Sequence, residues 1–200
     1  MDFTCVKENL EKRGFAVSVF ETAAAAAEYL DGAIDGKAVA FGGSITLQQM
    51  GLAEKLGGHN DVVWHWQVKE GQTPAEALQK ARSAEVYLTS VNGLAESGEI
   101  INIDGTGNRV AAMLYGHKKV YFVVGSNKIA PDYEAALHRA RNVAAPMNAK
   151  RLNRKTPCVE GGRCFDCASP ERICRGLAVL WEKMGGSDME VILIDEVLGY

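Results

Sequence analysis

Apolar positions along the 200-residue chain alternate between a period of two and a helical period, with few gaps between the two patterns. "FAVSVF" (15–20), "KAVAFGG" (37–43), "DVVWHWQV" (61–68) and "EVYLTS" (85–90) read as strands bounded by glycine or polar residues. "KVYFVVG" (119–125) and "EVILID" (190–195) are nearly continuous apolar runs, as expected of strands covered on both faces. Residues 2–13, 22–30, 44–56, 73–83 and 131–146 carry helical stripes or helical propensity. Gly14 is a natural stop for the first helix, and Thr73, Pro74 and Glu76 supply an N-cap, an N1 proline and a capping box. Pro146 is expected to end the helix that begins after Pro131. "EIINIDGTGNRVAAM" (99–113) has two β-like arms around Gly105 and Gly107 and predicts a hairpin. Ser169-Pro170 predicts the start of a last helix with the stripe Ile173, Leu177, Leu180, Trp181 and Met184. The alternation predicts an α/β fold, a mostly parallel sheet with helices on both faces plus one β-hairpin. One domain over 1–200 is expected, with a cysteine-rich loop at 156–174.

Composition narrows the function classes. The chain is 47% hydrophobic and 24% charged, with a net charge of −3, which is ordinary for a globular protein. Acidic and basic residues are interspersed, so no nucleic-acid or membrane partner is expected. No apolar run approaches the roughly 18 residues of a membrane span. The opening "MDFTCVKENLEKRG" lacks the apolar centre of a signal peptide and reads as an amphipathic helix. The expected compartment is therefore cytoplasmic, where thiols stay reduced and structural disulfides are rare.

In parallel sheets, ligands collect where loops leave the carboxyl ends of strands. "FGGSITLQQMGL" (41–52) offers Gly42 and Gly43 for close backbone approach and the hydroxyls of Ser44 and Thr46, a set suited to phosphate or carboxylate. Its plainer reading is a capped helix, with Thr46 and Gln49 as the capping box. "TSVNGLAESGEI" (89–100) carries Asn92, Glu96 and Glu99, and either glutamate could act as a general base or nucleophile, against a solvated turn. "GSNKIAPD" (125–132) places Lys128, a cation for an anionic group, after the most apolar strand. Trp64 and Trp66 read as sheet packing, His117 and His138 as surface residues, Arg139 and Arg141 as solvated, and Cys5 as packed on the first helix.

Four of the five cysteines fall in "CVEGGRCFDCASPERIC" (158–174), spaced Cys-x5-Cys-x2-Cys-x6-Cys. Cys158, Cys164, Cys167 and Cys174 could together hold a tetrahedral zinc ion or an iron–sulfur cluster. Two other readings stay open: buried free thiols, since cysteine packs as a small hydrophobe, and a redox disulfide.

Taken in order, "FGGSITLQQMGL", "VNGLAESGEIINIDGTGNRVAAMLYGHKKVYFVVGSNKI", "RARNVAAPMNAKRL" and "TPCVEGGRCFDCASPERIC" resemble the lactate-utilization (LUD) domain family over nearly the whole chain. The resemblance implies a fold similar to the phosphosugar-isomerase/CoA-transferase superfamily. There the early Gly-Ser-Thr loop, here Gly42, Gly43, Ser44 and Thr46, holds phosphate or related groups. It also implies a link to lactate oxidation beside iron–sulfur proteins, although this chain lacks a ferredoxin-like cysteine run and is similar to a short, stand-alone member. It favours iron–sulfur over zinc at the cysteines. CoA transferases use a strand-end glutamate, for which Glu96 or Glu99 is the nearest counterpart.

Three functions follow as expectations. The first is binding of a small anionic metabolite or phosphate-bearing cofactor at Gly42–Thr46, with Asn92, Glu96 and Lys128 in the pocket and a metal or redox centre at the cysteines. The second is a non-catalytic electron-transfer or assembly subunit for an iron–sulfur protein partner. The third is a regulatory ligand-binding module. Homo-oligomerisation is compatible with each.

Overall fold

The structure, a computed structural model, describes residues 1–200. Its strands are β1 (Ala16–Phe20), β2 (Ala38–Phe41), β3 (Asp61–Trp64), β4 (Val86–Thr89), β5 (Gly93–Ala95), β6 (Ile100–Asp104), β7 (Lys119–Gly125), β8 (Ile129–Ala130), β9 (Gly176–Leu180) and β10 (Asp188–Ile194). Its helices are α1 (Thr4–Lys12), α2 (Ala23–Ala33), α3 (Ile45–Gln49), α4 (Leu52–Gly57), α5 (Pro74–Ala81), α6 (Asn108–Leu114), α7 (Tyr133–Arg139), α8 (Ala145–Arg151) and α9 (Pro157–Gly161). No helix is long and apolar enough to cross a membrane.

Six strands form one wholly parallel sheet in the order β1-β10-β7-β4-β2-β3. The long apolar runs occupy its centre, because a strand buried on both faces needs apolar residues at every position. In β7, Val120, Phe122 and Val124 pack on one face while Tyr121 and Val123 pack on the other. The second face is covered by Leu30 of α2, Leu47 of α3 and Leu56 of α4. The first is covered by Val6 and Leu10 of α1, Met113 of α6, and a second sheet in the order β8-β5-β6-β9. That small sheet is itself sandwiched: Leu94, Ile100 and Leu180 face the large sheet, and Ala95 and Ile101 face Ala136 and Ala140 of the α7 segment. The α/β class, the parallel main sheet and the helices on both faces are as the sequence predicts.

Three local expectations are corrected. The hairpin is β5–β6, one strand earlier than expected, and the chain from Asn108 is helix α6. The Asp104 carboxylate explains the switch, since it accepts the backbone N–H groups of Gly105, Thr106, Arg109 and Val110 and so caps α6. The expected last helix is absent. Residues 169–175 are irregular and Gly176–Leu180 is strand β9, antiparallel to β6. "GLAVL" satisfies both periods, and the open edge of β6 selects the extended form; Leu177 and Trp181 of the supposed stripe are exposed. Pro146 does not stop its helix. A π-turn over Ala140–Ala144 precedes it, and Pro146 sits in the first turn of α8, where a missing N–H costs little.

Candidate functional site: a cationic cavity over the carboxyl edge of the sheet

Because all six strands run the same way, their carboxyl ends share one edge. The adjacent exits of β10, β7, β4, β2 and β3 deliver Gly199 and Tyr200, Lys128, Ser90 and Asn92, Ser44, and His65 and Trp66 to a single cavity of about 510 Å³. The α6 cap, α8 and the 170–175 segment close its other sides.

Lys128 forms the floor. It lies on a short 3₁₀ turn after β7 and is only 3% exposed. Its Nζ donates to Thr46 Oγ1 at 2.8 Å and to Ser90 Oγ at 2.9 Å. Ser90 Oγ donates to the Val123 carbonyl at 2.6 Å, and Thr46 Oγ1 to the Leu198 carbonyl at 3.2 Å. Burial pushes the Lys128 amine down to about 7, and the charges of Arg139 and Arg109 add to the effect.

Both glycines of the early loop answer to packing. A Cβ on Gly42 would stand 2.8 Å from the Tyr87 hydroxyl, and one on Gly43 would stand 2.8 Å from the Trp66 ring. Ser44 is the N-cap of α3, its Oγ accepting from the Leu47 N–H, so the Thr46–Gln49 box is replaced by a Ser44 cap that frees Thr46 for Lys128. Asn92 Oδ1 accepts from the Ile103 N–H and from Arg109, which also donates to the Ile103 carbonyl. Burial lowers the pKa of Arg109 and of His65.

The cavity concentrates positive charge although the chain is net negative. Arg109, Lys128, Arg151, Arg154, Arg172 and Arg175 line it, against two carboxylates, Asp104 and Glu171. Both carboxylates are occupied by backbone N–H groups, Asp104 at the α6 cap and Glu171 by Lys155. Arg151 stacks 4.5 Å from the Trp66 ring centroid and donates to the Tyr200 hydroxyl. What is left is a cationic enclosure with one aromatic wall, a shape and charge suited to an anion.

The residues named from sequence divide into three groups. Gly43, Ser44, Asn92 and Lys128 line the cavity, and Gly42 and Thr46 support it from behind. Glu96 and Glu99 do not line it. Their turn packs on α1 instead, where Asn9 binds the Glu96 carbonyl and Arg13 pairs with Glu99. Burial acts to raise the Glu99 pKa, but Ser97 and Arg13 outweigh it and hold the carboxyl below its ordinary value. The four cysteines form the third group. Cys158, Cys164, Cys167 and Cys174 form no disulfide and are half-buried, and all four line one small apolar recess against Pro146 and Ala149 of α8. The Asp166 N–H and Arg141 point at Cys164 Sγ, and Thr156 contacts Cys158 Sγ. No three of these side chains converge on a single point where a metal ion could sit. Cys5 is exposed, not packed.

Sequence reasoning passed over several cavity and support residues. Ser90, Arg109 and the tail residues Gly199 and Tyr200 carry no local motif. Arg139, expected in solvent, instead binds the carbonyls of Asn127 and Asn92. His117, expected at the surface, is buried and stacked on Tyr87. Their one legible signal was position, since most follow the end of an apolar strand.

Comparisons with known proteins agree with this fold. A crystal structure of a DUF162 family protein from Deinococcus radiodurans superposes with a TM-score of 0.52 at 15% identity, covering 97% of this chain and 99% of that one. At that identity the likeness bears on fold alone. No curated protein matches the chain. The LUD domain model matches residues 4–194, which is nearly its full length, and the chain therefore belongs to the LUD domain family.

Proposed function

We propose that this protein binds a small, multiply anionic metabolite, or a cofactor carrying phosphate, in the cationic cavity. Membership of the LUD domain family supports a role related to lactate utilization, and the proposed ligand belongs to lactate or other organic-acid oxidation. Ser44, Asn92 and Lys128 would meet the ligand, with Arg109 and Arg172 holding its charge and Gly42, Gly43 and Thr46 shaping the floor. The carrying observation is Lys128: a buried amine held by two neutral hydroxyls, with no carboxylate partner, under an excess of arginines. Glu96 and Glu99 are given no part. Calorimetry with inorganic phosphate and pyrophosphate tests the reading. Binding should weaken with added salt, and by about tenfold in each of Arg109→Ala and Lys128→Ala, a change of about 1.4 kcal/mol. Wild-type protein without affinity for either anion, or both variants binding normally, would sink it.

The cysteine recess supports a second element of this reading, a thiolate centre beside the ligand. Its donors suit zinc or an iron–sulfur cluster in kind, and Cys158, Cys164, Cys167 and Cys174 would hold it only once their side chains turn toward a common point. Such a centre would supply redox chemistry as a cluster, or local stiffening as zinc. Ala145, Arg172 and Ile173 line both the recess and the cavity, and Arg172 also binds the Cys167 and Cys174 carbonyls. Docking to an iron–sulfur partner without turnover is the alternative use of the same recess. Iron, sulfide and zinc content of protein purified without oxygen decides the point: metal-free protein in which all five thiols react, Cys5 included, rejects the centre.

A further inference from the structure

We propose that Lys128 is a nucleophile that forms a reversible Schiff base with the carbonyl carbon of a small ligand bearing a carboxylate or phosphate. The proposal rests on the anion-binding reading of the cavity and assigns the ligand a second feature, a reactive carbonyl.

The argument is an account of protons. The Ser90 hydroxyl spends its single proton on the Val123 carbonyl at 2.6 Å, a much better bond than its 3.4 Å contact with Thr46. The Thr46 hydroxyl spends its proton on the Leu198 carbonyl at 3.2 Å. Neither can donate to Lys128, so both must accept from it, at 2.8 and 2.9 Å. An amine with two N–H bonds fixed in this way keeps one lone pair, and Lys128 lines the cavity. An ammonium would carry a third N–H with no partner among these groups, in a site whose other nearby charges, Arg109 and Arg139, are also positive. The same arrangement therefore favours the neutral amine, and its pKa near 7 leaves much of it neutral at physiological pH. Space is also kept for it. Gly199 has φ +63, and a Cβ there would lie 3.2 Å from Nζ and 2.5 Å from Thr46 Oγ1, so the tail passes the amine without crowding it.

The step balances without an oxidant. The amine nitrogen adds to the carbonyl carbon, and the carbonyl oxygen takes a proton to give a carbinolamine. That oxygen then leaves as water as the C=N bond forms. The two protons lost by nitrogen end on the water. Arg109, fixed by Asn92 and the Ile103 carbonyl, stands ready to hold the anionic group.

Reductive trapping tests this. The protein is mixed with pyridoxal phosphate or with pyruvate, reduced with sodium borohydride, and weighed intact and after digestion. The expected product is one adduct per chain, equal to the probe less one oxygen atom, located on Lys128 and suppressed by inorganic phosphate. Lys128→Arg keeps N–H donors but has no nucleophilic amine and should lose the adduct; Lys128→Met serves the same comparison if the arginine variant does not fold. No adduct from either probe, or adducts spread over surface lysines and unchanged in the variants, overturns the proposal. Phosphate calorimetry on the same samples separates the two readings. Phosphate bound without an adduct rejects only the nucleophile, and a Lys128 adduct without phosphate affinity rejects only the anion site.

Discussion

Lys128 combines high cost with central position. A lysine pKa lowered on folding means that the unfolded chain binds the proton more tightly, so this group opposes folding at low pH. The penalty is full below about 7 and is relieved as pH rises toward the unfolded value near 10.4. Lys128→Met should therefore be more stable than wild type at pH 6, by a few kcal/mol, and the difference should shrink steadily toward pH 10. Urea unfolding of both proteins across that range measures it; a difference that does not vary with pH would refute the lowered pKa. In the sequence Lys128 was visible as a cation after the most apolar strand. Its burial was not, because burial depends on Thr46, Ser90 and the tail meeting over it. The paired glycines 42 and 43 were also visible, but their cause lies in the distant rings of Tyr87 and Trp66. Gly43→Ala should cost about 1–3 kcal/mol by displacing the Trp66 ring.

Among the elements, strands β2, β4, β7 and β10 were legible because buried parallel strands need apolar residues at every position. Thr73, Pro74 and Glu76 likewise marked α5 through local hydrogen bonds, and the capping box is present. The misread elements share one feature: a partner decides them. Segment 176–180 becomes β9 because β6 offers an open edge, and the chain after Asp104 becomes α6 because one carboxylate gathers four N–H groups. Packing of β5 on α7 is just as partner-dependent. A Cβ on Gly93 would lie 2.5 Å from the Ala136 carbonyl oxygen, a backbone atom that cannot swing aside. Gly93→Ala should lose at least about 1–3 kcal/mol of stability, whereas Gly57→Ala, with open space around it, should be neutral or gain up to about 1 kcal/mol. Thermal melts of the two variants rank them, and equal losses would contradict the packing of the small sheet on α7.

Across the whole molecule, the strand order does the assembling. Five neighbouring parallel exits converge on one edge, and the β5–β6 turn, which carries the two candidate glutamates, is drawn onto α1 instead. Glu99→Gln should accordingly lose about 1 kcal/mol of stability through its partly buried pair with Arg13, while phosphate affinity stays unchanged. A loss of phosphate binding in that variant would place the ligand elsewhere. By itself the sequence determined the α/β class, most strands, the loops that carry the cavity, the thiol-rich segment and the family. Each of these is written in local periodicity, in single loops or in motif order. Only the tertiary structure decided which loops meet, that Lys128 is buried on two hydroxyls, that five arginines share its enclosure in an acidic chain, and that Glu96 and Glu99 stand apart from it. Those outcomes depend on strand order and on contacts between residues distant along the chain, and neither leaves a period or a spacing to be read.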